Sequence, residues 1–354
     1  MCLRIWSCLI LMSLGPLFGQ GTTLVGAGYS IPTNIRVAPG QIIKLFISGT
    51  KTVLPPQSRI QRATTVPLPT TLAGFSVNIQ QGANTYAAPL LSVEQAPTCA
   101  DANSSSAECF TTALTVQIPF EIVPMLPGPL PAQPGNLIVN DNGTESQAFN
   151  LFPLVDNLHV ITGCDKQPDV WLNVNGFISS NLFLTAPCNA VATHADGSLV
   201  SADSPAKPGE VVVIYAFGLG KTSPPVKTGE ATPTPAPILS RDFLLGGINP
   251  YPVLAIQLDF RLNAGPSRPF VTPLIMVPAP PGPAFMGLTP GQVGLYQINV
   301  KLPDSFPLVL PCTGSMAVSV GTGIATSFVQ SNLTIDIGGA SSFDGAAICV
   351  QPIQ

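Results

Sequence analysis

The sequence predicts an all-β protein, and three observations lead to that class. The 354 residues include 39 prolines and 32 glycines, and so much proline excludes long helices because proline lacks the helix donor and clashes with the preceding turn. Hydrophobic residues make up 45% of the chain, which is more than a disordered chain contains. Apolar positions recur with a period of two in several short runs, as expected for strands with one buried face.

Charge is scarce in this chain. Only 9% of the residues are charged, against about 25% in an ordinary globular protein. The chain has 14 Lys and Arg residues, a net charge of −4 and no basic cluster, so we expect no nucleic-acid partner. A chain of this length is expected to form two domains.

Residues 1–19 predict export. Arg4 gives a positive start, an apolar run follows over residues 5–18, and Gly19 offers a small residue for cleavage. The run is short for a membrane span and contains Gly15 and Pro16, and no later segment has the roughly 18 uninterrupted apolar residues of a spanning helix. A retained N-terminal anchor is the alternative. We expect an exported protein, extracellular, at the cell surface or periplasmic, with no transmembrane segment after signal cleavage.

The first domain is predicted over residues 20–156 as a series of short strands. Phe75, Val77 and Ile79 alternate with polar residues, which indicates one buried face. Asn142 and Gly143 predict a hairpin turn, because this pair tolerates the positive φ that such turns require. The predicted strands cover residues 22–32, 34–49, 75–80, 88–93, 111–123, 136–140 and 146–155. Residues 51–65 are predicted as a loop.

The second domain is predicted over residues 157–354, with a linker around residues 156–162. Residues 296–302 alternate between apolar and polar side chains, as in a strand with one wet face. Residues 211–217 are apolar at nearly every position, which predicts a strand buried on both faces. Further strands are predicted within residues 190–201, 242–248, 253–262, 316–327 and 331–339. Long proline-rich loops are expected at residues 124–135, 222–238 and 277–283.

Two blocks of the second domain resemble a known family. Residues 194–231 (HADGSLVSADSPAKPGEVVVIYAFGLGKTSPPVKTGEA) and 287–303 (GLTPGQVGLYQINVKLP), with a closing hairpin, resemble the Solibacter-type uncharacterised C-terminal domain of secreted acidobacterial proteins. That domain is similar to IPT/TIG-type sandwiches. The resemblance covers roughly residues 190–339, and the first domain resembles the preceding half of the same family. It implies two tandem immunoglobulin-like β-sandwich domains outside the cell, and it implies no activity. The chain departs from the family between residues 247 and 287, where the family has a short hairpin.

Six cysteines remain after signal cleavage, because Cys2 and Cys8 leave with the signal. An even number in an exported chain suggests disulfides. Cys99 and Cys109 bracket one polar loop, and sequential pairing is therefore our prediction among the pairings that six cysteines allow. The predicted pairs are Cys99–Cys109, Cys164–Cys188 and Cys312–Cys349. Metal binding is the alternative, but the chain has no C-x-x-C spacing and only two histidines.

The two histidines, His159 and His194, are the first candidates for catalysis. His194 lies close to Asp196, and a His–Asp pair can transfer protons. The chain contains no G-x-S-x-G and no H-E-x-x-H motif. We therefore expect a solvated histidine beside a turn at position 194, and a structural one at position 159. Alanine at either position is expected to leave the protein folded and its role intact.

Two further motifs suggest ligands. Residues 218–223 (GLGKTS) resemble part of a phosphate loop, but the first glycine that such a loop needs is replaced by Tyr215, and Pro224 and Pro225 exclude the following helix. We expect a glycine turn that ends a strand, and no nucleotide partner. The oxygens of Asp141, Asn142 and Glu145, or of Asp336 and Asp344, could contact calcium, but their spacing is not that of a calcium loop. No metal or other cofactor is expected.

The sequence thus favours a non-catalytic exported β-sandwich protein for cell-surface display, adhesion or protein–protein assembly. Its partner is expected to be a protein or a cell-surface polymer. Two alternatives stay open: a secreted hydrolase that uses His194 with an acid still to be placed, and a carbohydrate-binding module. The second alternative needs exposed aromatic rings, whereas the context of Trp171 and Phe177 predicts that both pack in the core.

Overall fold

The computed structural model describes residues 23–27, 35–99, 106–125, 133–162, 188–240, 254–257, 275–276, 285–302, 304, 318–321, 324–327, 333–337, 340–341 and 346–351. This part of the chain contains no α-helix. Its helical elements are two 3₁₀ turns of three residues each, Pro56–Ser58 and Ala107–Cys109. The all-β prediction is confirmed.

The N-terminal strands form two sheets. In chain order they are β1 (Thr23–Ala27), β2 (Ile35–Val37), β3 (Ile42–Ser48), β4 (Ile60–Arg62), β5 (Thr71–Leu72), β6 (Phe75–Gln81), β7 (Asn84–Ala88), β8 (Leu90–Pro97), β9 (Phe110–Gln117), β10 (Gly135–Asp141), β11 (Thr144–Glu145) and β12 (Phe149–Pro153). Sheet A has the order β1-β3-β9-β8-β4. Sheet B has the order β2-β12-β10-β6-β5, with β7 beside β6 and β11 beside β10.

Sheets A and B share one hydrophobic core, which we call the N-terminal core. The predicted alternation in β6 is confirmed, because Phe75, Val77 and Ile79 are fully buried there. They pack with Leu45 and Leu114 of sheet A. Burying such a side chain stabilises the fold by about 1.5–3 kcal/mol, so the inward faces of the two sheets hold them together.

The C-terminal strands form two larger sheets and two strand pairs. In chain order they are β13 (His159–Val160), β14 (Cys188–Asn189), β15 (Ala192–His194), β16 (Val211–Phe217), β17 (Thr222–Ser223), β18 (Ile238–Leu239), β19 (Leu254–Gln257), β20 (Ile275–Met276), β21 (Met286–Leu288), β22 (Tyr296–Lys301), β23 (Val318–Gly321), β24 (Ile324–Ser327), β25 (Thr334–Ile337), β26 (Ala340–Ser341) and β27 (Ala346–Ala347). Sheet C has the order β13-β16-β22-β21-β18-β17, with β15 also beside β16. Sheet D has the order β20-β19-β25-β26, and β14–β27 and β23–β24 are the pairs.

A second cluster, the C-terminal core, lies against sheet C. Tyr296, Ile298 and Val300 of β22 are buried while Lys301 is exposed, so the predicted alternation there is confirmed. Residues 156–162, predicted as a linker, hold β13, and Val160 of that strand is fully buried in this core.

The strand at residues 211–217 differs from its prediction. Val212, Ile214 and Ala216 are fully buried, but the alternate residues of β16 are half-buried. A central strand of an antiparallel sheet has one face on the core and one turned outward, and β-branched residues occupy the outward face here because they also suit strand backbone. The prediction of burial on both faces was therefore wrong.

Several short strands lie where the sequence predicted loops or nothing, and β5 and β11 are among them. β4 lies within the predicted loop 51–65, β7 was not predicted, and β17 begins the predicted loop 222–238. The predicted strand at 242–248, the predicted loop at 277–283, and Trp171 and Phe177 lie outside the described residues.

Candidate functional site

His194 is the centre of the polar cluster with the most distinctive chemistry in the described part of the chain. It is the last residue of β15, which pairs with β16 so that His194 faces Val212. Its Nδ1 forms a hydrogen bond and ion pair with Oε1 of Glu210, two residues before Val212. Its Nε2 lies 3.1 Å from the carbonyl oxygen of Ser204 and 3.2 Å from the Ser204 hydroxyl. The expectation of a merely solvated histidine was wrong.

This geometry favours the doubly protonated ring of His194. A carboxylate oxygen and a carbonyl oxygen can only accept hydrogen bonds, so the ring satisfies both by donating from both nitrogens. The hydrogen bond to Glu210, together with the Ser204 carbonyl and the charges of Glu210 and Asp196, raises the pKa of His194 above 6.5, although burial acts in the opposite direction. An imidazolium cannot accept a proton, which makes this arrangement unsuited to a general base.

Glu210 is the acid that the sequence left unplaced. Burial alone would raise its pKa, but the Lys207 backbone N–H and His194 lower it below 4.5. The Lys207 N–H donates to its Oε2 at 2.8 Å. Sequence reasoning missed Glu210, because only the antiparallel pairing of β15 with β16 brings the residue that precedes β16 diagonally opposite His194.

Asp196, the acid first suspected, has another role. Its Oδ1 accepts a hydrogen bond from the Ser198 backbone N–H at 2.9 Å and another from the Ser198 hydroxyl at 2.6 Å. These two bonds lower the pKa of Asp196. Asp196 therefore closes the turn around Gly197 and acts on His194 only through its charge.

Ser204, His194 and Glu210 lie in the order of a hydrolase triad, which makes the serine a candidate nucleophile. A triad serine needs a neighbouring pair of backbone N–H groups for the developing oxyanion. The Ser204 N–H donates to the Ser201 carbonyl at 3.2 Å, and the next residue, Pro205, has no N–H. The carbonyl of Ser204 also competes with its hydroxyl for Nε2. The cluster can join three segments of chain, but it offers no oxyanion site at the serine's own backbone.

The motif at residues 218–223 serves as a close-packed turn. β16 ends at Phe217, as predicted, and β17 follows at Thr222. A Cβ on Gly218 would lie 2.2 Å from the Asn157 carbonyl oxygen, and one on Gly220 would lie 2.2 Å from the Val155 carbonyl oxygen. Because these two glycines have no Cβ, the backbone that joins the two cores can pass close to the turn.

A second polar cluster joins the N-terminal sheets to sheet C, and we call it the junction (residues 38–41, 117–121, 155–157, 218–220 and 228–229). The Gly229 N–H donates a hydrogen bond to Oε1 of Gln117 at 2.7 Å, and the Gly229 carbonyl accepts a hydrogen bond from the Leu68 N–H at 2.9 Å. The Thr228 hydroxyl oxygen accepts a hydrogen bond from the Phe120 N–H at 2.8 Å and donates to Glu121.

Asn157 forms the other half of the junction. Its N–H donates to the Gly218 carbonyl at 2.8 Å, and its carbonyl accepts from Nε2 of Gln41 at 3.1 Å. The Phe120 side chain lies on the loop after β9, yet it packs in the C-terminal core. The junction therefore combines backbone pairing with an aromatic ring that belongs to one half of the chain and is buried in the other.

His159 and Asp141, two other residues considered from the sequence, are both buried and contribute to the fold. His159 is buried in β13, opposite Phe217. Asp141 is buried and accepts hydrogen bonds from the N–H groups of Lys51 and Thr52 and from the Thr52 hydroxyl. Among the described residues no group of three His, Cys, Asp or Glu side chains could hold a metal ion.

The predicted Cys99–Cys109 disulfide is present, with Cα atoms 5.0 Å apart. Cys349 is also disulfide-bonded. Cys164 and Cys312 lie outside the described residues, and the side chain of Cys188 is not described. Pairing of these four cysteines stays a prediction.

No helix in the described ranges is long and apolar enough to cross a membrane. Compared with protein-family models, curated proteins and solved structures, the chain matches none.

Proposed function

We propose that this chain is an exported, non-catalytic scaffold of two tandem immunoglobulin-like β-sandwich domains that acts through contacts, in cell-surface display, adhesion or protein assembly. The junction carries the proposal. It ties Gln117, Phe120 and Asn157 to partners in the other half of the chain, which are Gly229, Thr228 and Gln41 in turn. A scaffold that binds by contact gains from a fixed spacing between its surfaces, because less order is lost on binding.

Three features support export. Residues 1–19 have the charge and apolar run of a signal peptide. The Cys99–Cys109 bond suits an oxidising compartment. The family that the two blocks resemble, the Solibacter-type domain, occurs in secreted proteins, and this resemblance also favours the tandem sandwich.

The contact surfaces are best sought at the loops and the edge strands of the sheets. β4 is an edge strand of sheet A, and its Ile60 is 53% exposed. Val66 and Ile238 are large apolar side chains that are also exposed. We propose a protein or a cell-surface polymer as the partner.

A hydrolase is the second candidate, because one observation favours it. The Ser204 hydroxyl lies 3.2 Å from Nε2 of His194, with Glu210 on the opposite ring nitrogen. Three others weigh against it: the carbonyl that competes for Nε2, the Ser204 N–H that is already bonded, and the missing N–H of Pro205. We therefore propose binding through contacts as the first candidate function and hydrolysis as the second.

The test follows the tagged full-length chain in its own cells. Protease added to intact cells is expected to remove the tag, and fragments of the cell envelope are expected to bind the purified mature protein saturably. Envelope binding should be equal for wild type and Ser204→Ala. Turnover of ester, glycoside or peptide substrates that disappears in Ser204→Ala would contradict the proposal, as would a chain found only in the cytoplasm.

A further inference from the structure

The segment that follows the His194 turn holds the end of the chain in place. We call residues 201–210 the strap. Ala206, at its centre, is fully buried, donates its N–H to the Cys349 carbonyl at 2.9 Å and accepts one from the Gln351 N–H at 2.8 Å. Ile348, Cys349 and Val350 are buried in the C-terminal core. The strap is thus one strand-like neighbour of residues 348–351.

His194 touches the strap on both sides of Ala206. On one side Nε2 reaches the carbonyl of Ser204, which also accepts the Ser201 N–H at 3.0 Å. On the other side Nδ1 reaches Glu210, whose second oxygen holds the Lys207 N–H. The carbonyl of Glu210 in turn accepts the Leu302 N–H at 2.7 Å, next to β22. One imidazole ring therefore fixes both ends of a short segment.

We propose that His194 is a pH-sensitive clasp, whose protonated ring holds the strap on residues 348–351 and whose deprotonation releases it. When Nε2 loses its proton it can no longer donate to the Ser204 carbonyl. A lone pair of Nε2 then faces a lone pair of the carbonyl oxygen across 3.1 Å. The neutral ring can accept only from the Ser204 hydroxyl, which leaves the carbonyl side of the clasp open. This device does not depend on the proposed contact function.

The charged groups around the clasp all belong to segments packed against it. Asp196 lies on the preceding turn, Asp203 and Lys207 lie on the strap, and the Lys301–Asp304 ion pair lies at the end of β22. Residues 348–351 contribute no titratable side chain, because Cys349 is disulfide-bonded.

The direction of the pH effect follows from the two pKa values. The pKa of His194 is raised, so its stabilising contribution is complete below the ordinary value of 6.5 and is lost as the pH rises through the raised value. The pKa of Glu210 is lowered, so its contribution is complete above 4.5 and is lost as the pH falls through the lowered value. The clasp is therefore closed at pH values between the lowered pKa of Glu210 and the raised pKa of His194, and it opens as the pH rises through the pKa of His194.

Amide hydrogen exchange of the folded, disulfide-bonded protein tests this. We would titrate from about pH 5 to about pH 8.5, the range in which histidine changes charge, and follow the ring protons of His194 by NMR. Exchange of the Ala206 and Gln351 amides, corrected for the intrinsic rate, should rise along the same curve. The factor by which the exchange rate of these two amides rises should equal the ratio of the acid dissociation constants of His194 in the released and clasped states. The Ile118 amide, bonded to Gln41 at the junction, is the control and should not follow that curve.

Two variants sharpen the test. In Glu210→Gln the neutral amide no longer favours the charged ring, so the rise should move to lower pH together with the His194 titration. In His194→Gln the rise should be absent. Ala206 and Gln351 amides of wild type that stay equally protected while His194 titrates would overturn the proposal, even if neither variant folds. A rise that persists in a folded His194→Gln protein would overturn it too.

Discussion

Gly218 and Gly220 show why a phosphate-loop-like motif is needed for packing. Their φ angles are +80° and +93°, a region that L side chains rarely adopt. The space for a Cβ is occupied in each case by a backbone carbonyl, from Asn157 and from Val155. Because those carbonyls belong to the chain between the two cores, neither can retreat without moving that backbone.

We expect Gly218→Ala to destabilise the protein more than Gly197→Ala. Gly197 has a similar φ of +86°, but nothing lies within 4 Å of its added Cβ. Both variants lose about 1–2 kcal/mol from the left-handed backbone, and only Gly218→Ala adds the clash with the Asn157 carbonyl. Urea unfolding followed by circular dichroism gives both free energies. Equal losses would show that the junction relaxes around the new methyl group at no cost.

Single residues were predictable only where the chemistry is local. The Asn142 turn and the Cys99–Cys109 bond each depend on neighbours within about ten residues. Glu210 was not predicted as the partner of His194, because that contact depends on how β15 and β16 pair. Proximity in the sequence favoured Asp196 instead, and Asp196 is bound by its own turn.

Strands were predicted best where polar and apolar residues alternate. β22 presents Tyr296, Ile298 and Val300 to the core, as its sequence indicates. β16 has the same alternation of burial, but its sequence does not show it. Valine occupies both inward-facing and outward-facing positions there, so residue type cannot distinguish the two faces. β4 was missed because it is three residues long with a single apolar residue, Ile60, and its only strand neighbour in the described chain is β8.

Adjacent valines in β16 test its one-sided burial. Val212 is fully buried and Val213 is half-buried. We expect Val212→Ala to cost about 2 kcal/mol or more, because it leaves a cavity in the C-terminal core. Val213→Ala should cost roughly half as much, since part of its surface already meets solvent. Thermal unfolding followed by circular dichroism ranks the two. A larger loss for Val213→Ala would mean that the outward face of sheet C is the better packed one.

In the part of the chain that the structure describes, two cores are combined with a polar junction, and this was the level least visible in the sequence. Composition predicted an all-β chain and length predicted two domains, but nothing in residues 117–121 or 228–229 marked them as partners. The backbone pairing of Leu68 with Gly229 and the position of Phe120 arise only when both halves are folded. Contacts between loops of separate units have no periodic signature, because neither loop alone buries a face.

The junction predicts how the protein unfolds. Phe120 is 8% exposed and lies in the C-terminal core, although the strand before it belongs to sheet A. The two cores should therefore unfold together, in one calorimetric transition whose van't Hoff and calorimetric enthalpies agree. Phe120→Ala removes the shared ring at a cost of about 3–5 kcal/mol, and we expect its transition to split in two.

Phe149→Ala is the matched control, since Phe149 is a half-buried ring that packs on the N-terminal core. It should lower the stability and keep a single transition, because the junction contacts of Gln117, Thr228 and Asn157 are untouched. Two transitions already present in wild type would show that the junction does not couple the cores. A Phe120→Ala protein that still unfolds in one step would place the coupling in the hydrogen bonds of Gly229 and Asn157 rather than in the ring.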